Sequence, residues 1–167
     1  RSSFRKCRYI AVKTHCYAKR SRLPRVIHPV YLVIPMPEKP IYIVSDIHLG
    51  VAPPETEQAF LRWLDHTAEC ASELILNGDV FDFWFEYRSV IPRGHTRVLG
   101  ALAGLVDQGL RVTVMAGNHD WWGGSFLSEE IGLTFLQDPV LKDLHGFRTF
   151  LAHGDGLGQG DLGYRFL

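Results

Sequence analysis

Strand-like and helix-like segments alternate through the middle of the sequence, and this alternation restricts the fold more than any other feature. Residues 41–44, 74–76 and 112–115 are short aliphatic or β-branched runs that predict buried strands. Residues 55–70 and 98–109 carry apolar side chains at helical spacing. The resulting β-α-β-α-β order predicts an α/β fold with a parallel sheet and right-handed crossovers.

The last third of the sequence becomes strand-like again. Residues 133–136, 140–144 and 147–152 predict three further strands, and a His-Gly turn at 145–146 joins the last two as a hairpin. Residues 161–167 predict the opening of a helix that no stop signal follows. We therefore expect the domain to continue beyond residue 167.

Metal-ligand and proton-transfer residue types follow directly after four of these strands. In a parallel sheet the carboxyl ends of the strands lie at one edge, which is where α/β proteins bind ligands. Residues that are distant in sequence can therefore surround one cavity. Mixed carboxylate, imidazole and amide ligands suit Mn, Fe or Zn better than Ca or Mg. The four clusters are Asp46 with His48, Asp79 with Asp82, Asn118 with His119 and Asp120, and His153 with Asp155.

Charge and composition exclude several classes of protein. Residues 1–40 carry ten Lys or Arg and one acid, whereas residues 41–167 carry eight Lys or Arg and seventeen acids. The acidic body argues against a nucleic-acid partner and agrees with carboxylate ligands for cations. Three widely spaced cysteines give neither a disulfide framework nor a Cys-rich zinc motif, and they favour a reducing compartment. No apolar stretch approaches the roughly 20 residues that span a membrane.

Two regions are predicted along the chain. Residues 1–39 form a basic extension without sustained periodicity, which we expect to be poorly structured. Two interpretations of this extension stay open: a basic targeting or membrane-surface arm, and an upstream stretch included by a misassigned start. Residues 40–167 form the α/β region, and no feature of the sequence indicates an obligate protein partner.

In their order along the chain, the polar motifs resemble those of the calcineurin-like metallophosphoesterases. The similarity covers about residues 41–167 and rests on S-D-x-H, N-G-D-x-x-D, G-N-H-D and H-G-D, each just after a strand. The resemblance implies a layered α/β/β/α sandwich, of which residues 40–167 are the N-terminal part. It also implies two divalent metal ions, Mn²⁺ in first place with Fe or Zn as alternatives. The implied ligands are Asp46 and His48 for the first ion, Asp79 for both, and Asn118 and His153 for the second.

The same resemblance places His119 beside the scissile phosphate. A histidine can act there as a general acid, and Asp120 is a candidate to orient its ring. Two cations about 3.5–4 Å apart need a shared anion to offset their repulsion, which is the role assigned to Asp79. Asp82 and Asp155 would fix ligand side chains by hydrogen bonds, and the alternative is that both stabilise loops as Asx residues.

Within the superfamily, residues 77–86 and 153–164 resemble the UDP-2,3-diacylglucosamine hydrolases of lipid A biosynthesis. That resemblance implies cleavage of the pyrophosphate of UDP-2,3-diacylglucosamine to UMP and lipid X. It implies a cytoplasmic protein with peripheral contact to the inner-membrane surface. The residues that would contact the UDP-linked glycolipid are Asn118, His119, Asp161 and Tyr164.

The sequence departs from that branch at two points. His119 stands where many members have Arg, and no His follows His153, so the family's closing H-x-H is not in the sequence. The resemblance therefore implies a fragment without these ligands. Two alternatives remain for the function: another metallophosphoesterase, such as a phosphodiesterase or protein phosphatase, and a non-catalytic scaffold of the same fold.

Side chains that follow the second motif have two interpretations each. The aromatic residues of 81–85 would either wall the site or belong to the core. The basic residues of 88–97, among them His95, would either meet a phosphate or a lipid surface, or be solvated loop and helix positions. Solvation is the expectation for this basic group.

Overall fold

The computed structural model of the protein describes residues 39–155. The expected basic extension lies outside the described residues except for Lys39, and Asp161 and Tyr164 also lie outside them. Between these limits the predicted alternation of strands and helices is confirmed.

The main sheet has four parallel strands, of which the sequence predicts the parallel pairing of the first three. The strands lie side by side in the order β1 (Ile41–Val44), β2 (Glu73–Asn77), β3 (Arg111–Met115) and β4 (Thr134–Leu136). The residues aligned across the sheet near this edge are Val44, Leu76, Val114 and Phe135. All four strands therefore end at one edge, and the loops that follow them begin close together.

Two helices cover one face of this sheet. Helix α1 (Pro54–Cys70) begins with a proline and has Glu55 and Glu57 in its first turn, where the helix dipole favours negative charge. Helix α2 (Thr96–Asp107) ends just before Gly109, whose φ of 86° suits a residue without a side chain. Both helices bury the apolar stripe that the sequence predicts.

The predicted hairpin forms a second, two-stranded sheet. Strands β5 (Val140–Leu144) and β6 (Phe147–Leu151) are antiparallel and are joined by His145 and Gly146, both with positive φ. Two positive φ values in a two-residue loop are the requirement of a type I′ turn, which matches the twist of a hairpin. A short π-helical segment, Phe126–Glu130, was not predicted.

Strand β2 separates two hydrophobic cores because alternate side chains point to opposite faces of a strand. Leu74 and Leu76 are fully buried in the larger core, with the apolar side chains of both helices. Ile75 is fully buried in a smaller core that includes Leu144 and Leu151 of the hairpin. The described residues thus form three successive layers, consisting of helices, parallel sheet and hairpin, as expected for the layered sandwich.

A buried carboxylate connects the two sheets at the end remote from the polar loops. Glu73 is 1% exposed, and its side chain contacts Lys142 of β5 and Thr113 of β3. Arg111 lies 3.3 Å from the same carboxylate. Because a buried charge is tolerated only when it is paired and hydrogen-bonded, this network fixes where β5 crosses the sheet.

Candidate metal centre

Backbone hydrogen bonds join the loops that follow β1 and β2. Asp46 N donates to Gly78 O at 3.1 Å, and His48 N donates to Asp79 O at 3.0 Å. These bonds continue the parallel pairing of the strands beyond the end of the sheet. The side chains of Asp46, His48 and Asp79 therefore project from one backbone frame rather than from independent loops.

Three residues of this frame have a left-handed backbone: Asp46 with φ 56°, His48 with φ 49° and Asp79 with φ 53°. Asp and His adopt this region more readily than most residues, but each such residue still costs about 1–3 kcal/mol. The strain has a geometric result, since one ligand atom from each of the three lies within 4.8 Å of the others. Such a convergence of carboxylates and imidazole is suited to holding a cation.

Asp79 lies at the centre of the cluster, with its side chain 6% exposed. Its Oδ2 is 3.7 Å from Nε2 of His48 and 3.3 Å from Nε2 of His153. Its Oδ1 accepts a hydrogen bond from His119 N at 3.1 Å. Two atoms that each lie about 2.0–2.2 Å from one ion are separated by distances of this order. The carboxylate and imidazole atoms around Asp79 are therefore spaced suitably to hold a divalent metal ion.

Two glycines allow the strand-end loops to approach this closely. A Cβ on Gly78, which has a φ of 84°, would lie 2.3 Å from Nδ1 of His153. A Cβ on Gly117 would lie 2.1 Å from Oδ1 of Asp79. Both distances are too short for any side chain, so the N-G-D and G-N-H-D motifs need glycine for reasons of space.

The hairpin brings His153 to the cluster from the second sheet. Its Nδ1 lies 2.9 Å from Asn77 O, which leaves Nε2 facing Asp79. Burial lowers the pKa of His153, but the hydrogen bond to Asn77 and the negative charges of Asp79, Asp155 and Asp46 together raise this pKa above its ordinary value. A cation that bound Nε2 would have to displace the proton that these charges attract.

Asp82 contacts two imidazole rings. Its Oδ1 lies 3.4 Å from Nδ1 of His48 and 3.5 Å from Nδ1 of His119. The Nδ1 of His119 also contacts Asp82 O, and the two rings meet edge to face with centroids 4.8 Å apart. Asp82 thus occupies the Nδ1 side of both rings and leaves their Nε2 atoms for other partners, and Nε2 of His48 lies 3.7 Å from Oδ2 of Asp79.

Asp120 does not contact the ring of His119, contrary to the expectation that it orients this ring. Its carboxylate is buried and accepts hydrogen bonds from Gly117 N at 2.7 Å and Val80 N at 2.8 Å, with longer ones from Asp79 N and Phe81 N. The G-N-H-D segment folds Asp120 back onto the amide three residues earlier, which turns its side chain away from the ring. Burial raises the pKa of Asp120, and the amide hydrogen bonds oppose that rise.

Two further predicted residues, Asn118 and Asp155, are more exposed than Asp79. Asn118 is between Gly117 and His119, whose amides bond to Asp120 and Asp79, and it is partly exposed. Asp155 is exposed and lines a cleft of about 220 Å³ together with His153. Trp121 also lines this cleft.

Of the aromatic residues after the second motif, some belong to the core and others are exposed. Phe81 and Trp84 are 3% and 0% exposed and belong to the core, whereas Phe83 is 59% exposed. His95 was expected to be solvated but is buried against Phe81 and Trp84, and burial lowers its pKa despite the charge of Glu57.

Glu86, which the sequence did not single out, fixes the exposed part of this segment. Its carboxylate accepts hydrogen bonds from Trp84 Nε1 at 3.1 Å and from Phe126 N at 2.9 Å. Glu86 therefore joins the segment after β2 to the segment after β3. A local aromatic pattern cannot reveal such a bond, because its partner is 40 residues away.

Comparison with known proteins agrees with a metal-binding site at this cluster. The family model of the calcineurin-like phosphoesterases matches residues 39–164, which contain every motif described above. The chain belongs to this family. Calcineurin-like phosphoesterases use divalent metals, and the described residues of this member contain two groups of candidate ligands, Asp46 with His48 and Asp79, and His48 with Asp82 and His119.

Several curated relatives of this phosphoesterase carry the name UDP-2,3-diacylglucosamine hydrolase. The chain is 41% identical over 119 residues to one from Porphyromonas gingivalis, covering 69% of the chain and 45% of that relative. It is 35% identical over 125 residues to one from Ralstonia nicotianae, covering 75% and 47%. It is 37% identical over 124 residues to one from Aeromonas salmonicida, covering 74% and 48%. The chain thus spans about half the length of these relatives.

The described part of this phosphoesterase includes no membrane-spanning candidate. Neither α1 nor α2, nor the short segment Phe126–Glu130, combines the length and apolar character that a bilayer crossing requires.

Proposed function

We propose that the protein containing this chain hydrolyses the pyrophosphate bond of UDP-2,3-diacylglucosamine, giving UMP and lipid X in lipid A biosynthesis. One observation carries the proposal: the buried Asp79 presents Oδ2 to Nε2 of both His48 and His153. A shared carboxylate between two imidazoles is what a dinuclear phosphoesterase needs. The substrate follows from the curated relatives, which bear the name of that hydrolase.

In this proposal Asp46 and His48 would hold one metal ion, Asn118 and His153 would hold the other, and Asp79 would serve both. The mixed oxygen and nitrogen donors favour Mn²⁺, with Fe or Zn as alternatives. A pair of divalent ions would supply an activated water and stabilise the phosphoryl oxygens during in-line displacement. The strained backbone of Asp46, His48 and Asp79 holds their side chains in place before the ions bind.

His119 acts on the substrate in this scheme. Asp82 contacts its Nδ1 through both the carboxylate and the main-chain oxygen, so a proton on Nδ1 is held there. Nε2 is then the atom that meets the scissile phosphate, as a proton donor to the leaving oxygen when the ring is protonated. Asp120 supports catalysis differently from the ring-orienting role predicted for it, by holding the amides around Asp79 and Gly117 in place.

The glycolipid would also need an apolar surface. Phe83 and Trp122 are 59% and 54% exposed, with ring centroids 6.4 Å apart, and Tyr87 is 67% exposed beside Phe85. We call these four side chains the aromatic ridge. The ridge follows directly on Asp82 and Asp120 in sequence, so it can contact acyl chains of a substrate whose phosphates lie at the metal centre. The same surface would support peripheral contact with the cytoplasmic face of the inner membrane.

Asp161 and Tyr164, predicted to contact the substrate together with Asn118 and His119, complete the proposal on the basis of the resemblance alone. Asp155, which contributes to the raised pKa of His153 and lines the cleft, would help to fix that imidazole.

An assay of the intact protein tests the substrate. With Mn²⁺ present, we expect release of UMP from UDP-2,3-diacylglucosamine and its loss on addition of a chelator. Asp79→Asn, which keeps the size of the side chain but removes its charge, should abolish both turnover and metal binding. Hydrolysis of a generic aryl phosphodiester without any release of UMP would replace the proposal by the phosphodiesterase alternative. Metal binding without hydrolysis of either substrate would favour the scaffold.

A further inference from the structure

Asn77, the last residue of β2, holds two consecutive residues of the segment that delivers His153. Its side-chain Nδ2 donates to Ala152 O at 3.0 Å. Its main-chain oxygen lies 2.9 Å from Nδ1 of His153. The main-chain contact is available to any residue at this position, whereas the contact with Ala152 depends on the asparagine side chain.

The orientation of the Asn77 amide follows from its partner. Only the NH₂ group can donate to the carbonyl oxygen of Ala152, so Oδ1 must point the other way. There Oδ1 is buried and has no hydrogen-bond partner among residues 39–155. A buried acceptor without a partner lowers stability, and an apolar side chain of similar volume would avoid that loss. The hydrogen bond to Ala152 O offsets that loss, so the amide adds little to stability on balance.

The two ends of the hairpin are fastened by alternate residues of β2. Glu73 contacts Lys142 at the end remote from the site, and Ile75 packs in the core between the sheets. At the end close to the site, beyond the last paired residue Leu151, the described polar connection to β2 is made by Asn77. Removing its side chain would leave Ala152 O without this hydrogen bond, and the contact between Nδ1 of His153 and Asn77 O would remain.

We infer that the Asn77 side chain is a positioning residue for His153: by holding Ala152 O it keeps Nε2 of His153 3.3 Å from Oδ2 of Asp79 and so sets the affinity for one metal ion. The inference rests on the proposed function, in which His153 is a metal ligand. It assigns a role in metal binding to the first residue of the N-G-D-x-x-D motif, which is not itself a proposed ligand. Groups that orient a metal ligand typically change affinity or activity by about 10–100-fold when they are removed.

The test compares Asn77→Leu with the wild-type intact protein. Leucine keeps the approximate volume and removes both the contact with Ala152 and the unpaired Oδ1. We expect Mn²⁺ titration calorimetry to show one of two binding events weakened by about 10–100-fold. The metal-free variant should unfold in urea with a free energy close to that of the wild type, because loss of the bond to Ala152 O and removal of the unpaired Oδ1 oppose each other. We expect kcat to fall while KM stays unchanged. Asn77→Ala provides the same comparison with a smaller side chain if the leucine variant does not fold.

Gln108→Leu is the matched control, because Gln108 also donates from its side-chain amide to a main-chain oxygen, that of Gly104, at 2.9 Å. It should change neither metal affinity nor kcat. Wild-type affinity for both ions in the Asn77 variants would overturn the inference, as would an affinity loss that only parallels a loss of metal-free stability. Because calorimetry needs no substrate, a wild type that binds two ions but releases no UMP would refute the proposed substrate and leave this inference standing. A wild type that binds no metal would overturn both.

Discussion

The substitution Gly117→Ala should weaken metal binding and lower the activity while the protein still folds. A Cβ there would lie 2.1 Å from Oδ1 and 2.6 Å from N of Asp79, and Cβ contacts below 3.0 Å are essentially never seen. Gly117 is not among the glycines with positive φ, so alanine introduces no backbone strain. The whole effect of Gly117→Ala therefore comes from its contact with Asp79.

The new methyl group meets both the main-chain N and the carboxylate of Asp79, so the loop that carries Asp79 has to shift. A displacement of about 1 Å in a catalytic group can lower the rate about 100-fold. We expect kcat/KM to fall at least that far and both metal ions to bind more weakly, because Asp79 is their shared ligand in the proposal. Forcing an extra methyl group into a packed site costs about 1–3 kcal/mol of stability. That loss falls on loops beyond the end of the sheet, so the variant should still fold.

The assay combines Mn²⁺ calorimetry, UMP release and urea unfolding of the intact protein. Gly100→Ala is the control, since a Cβ on Gly100 of α2 meets nothing within 4 Å. In the helix, alanine should stabilise the protein by about 0.5–1 kcal/mol and leave metal binding unchanged. If Gly117→Ala binds metal and turns over like the wild type, the close approach of Gly117 and Asp79 is not a feature of the working centre.

Three further outcomes follow from the structure. In calorimetry, His119→Gln should bind Mn²⁺ with an affinity near that of the wild type. Its kcat for UMP release should fall by about 10²–10⁴-fold. Loss of metal binding would contradict the proposed role of His119 toward the substrate. Because the pKa of His153 is raised above that of an ordinary histidine, its proton competes with the metal ion up to a higher pH. Mn²⁺ affinity should therefore fall about tenfold for each pH unit below that pKa. An affinity that does not change between pH 5 and 8 would refute this competition. Lys142→Met should lower the free energy of unfolding in urea by about 3 kcal/mol, since it removes a partner of the buried Glu73. A change below about 1 kcal/mol would mean that Arg111 alone is enough to pair the Glu73 carboxylate.

The layers of the fold could be predicted because the sequence changes its period where the structure changes its element. Strands β1, β2 and β3 correspond to short apolar runs in the sequence, and α2 carries its apolar side chains at helical spacing. The hairpin followed from two strand-like runs around His145 and Gly146. The π-helical segment Phe126–Glu130 was not predictable, because its start is held by Glu86, which lies in another loop.

The cluster itself could be predicted from residue types at strand ends, but the partners within it could not. Asp120 adjoins His119 in sequence, which suggested a contact between their side chains; adjacent residues of a tight turn point in different directions, and Asp82 meets the ring instead. His95 was expected to be solvated because it lies among arginines. It is buried because the aromatic rings of Phe81 and Trp84 close over it, a contact that no local pattern encodes.

Hydrogen bonds between the loops of the centre hold several negative charges close together. Burial lowers the pKa of His153, but the hydrogen bond to Asn77 O and the charges of Asp79, Asp155 and Asp46 raise it, so three carboxylates act on one imidazole. Without cations these carboxylates repel one another, and flexible loops would separate them. The backbone bonds between the first two loops and the hold of Asp120 on the amide of Gly117 oppose that separation. The fold thus keeps together acids whose repulsion two divalent ions would offset, so chelation should loosen these loops more than any other part of residues 39–155, which hydrogen exchange of the backbone amides can measure.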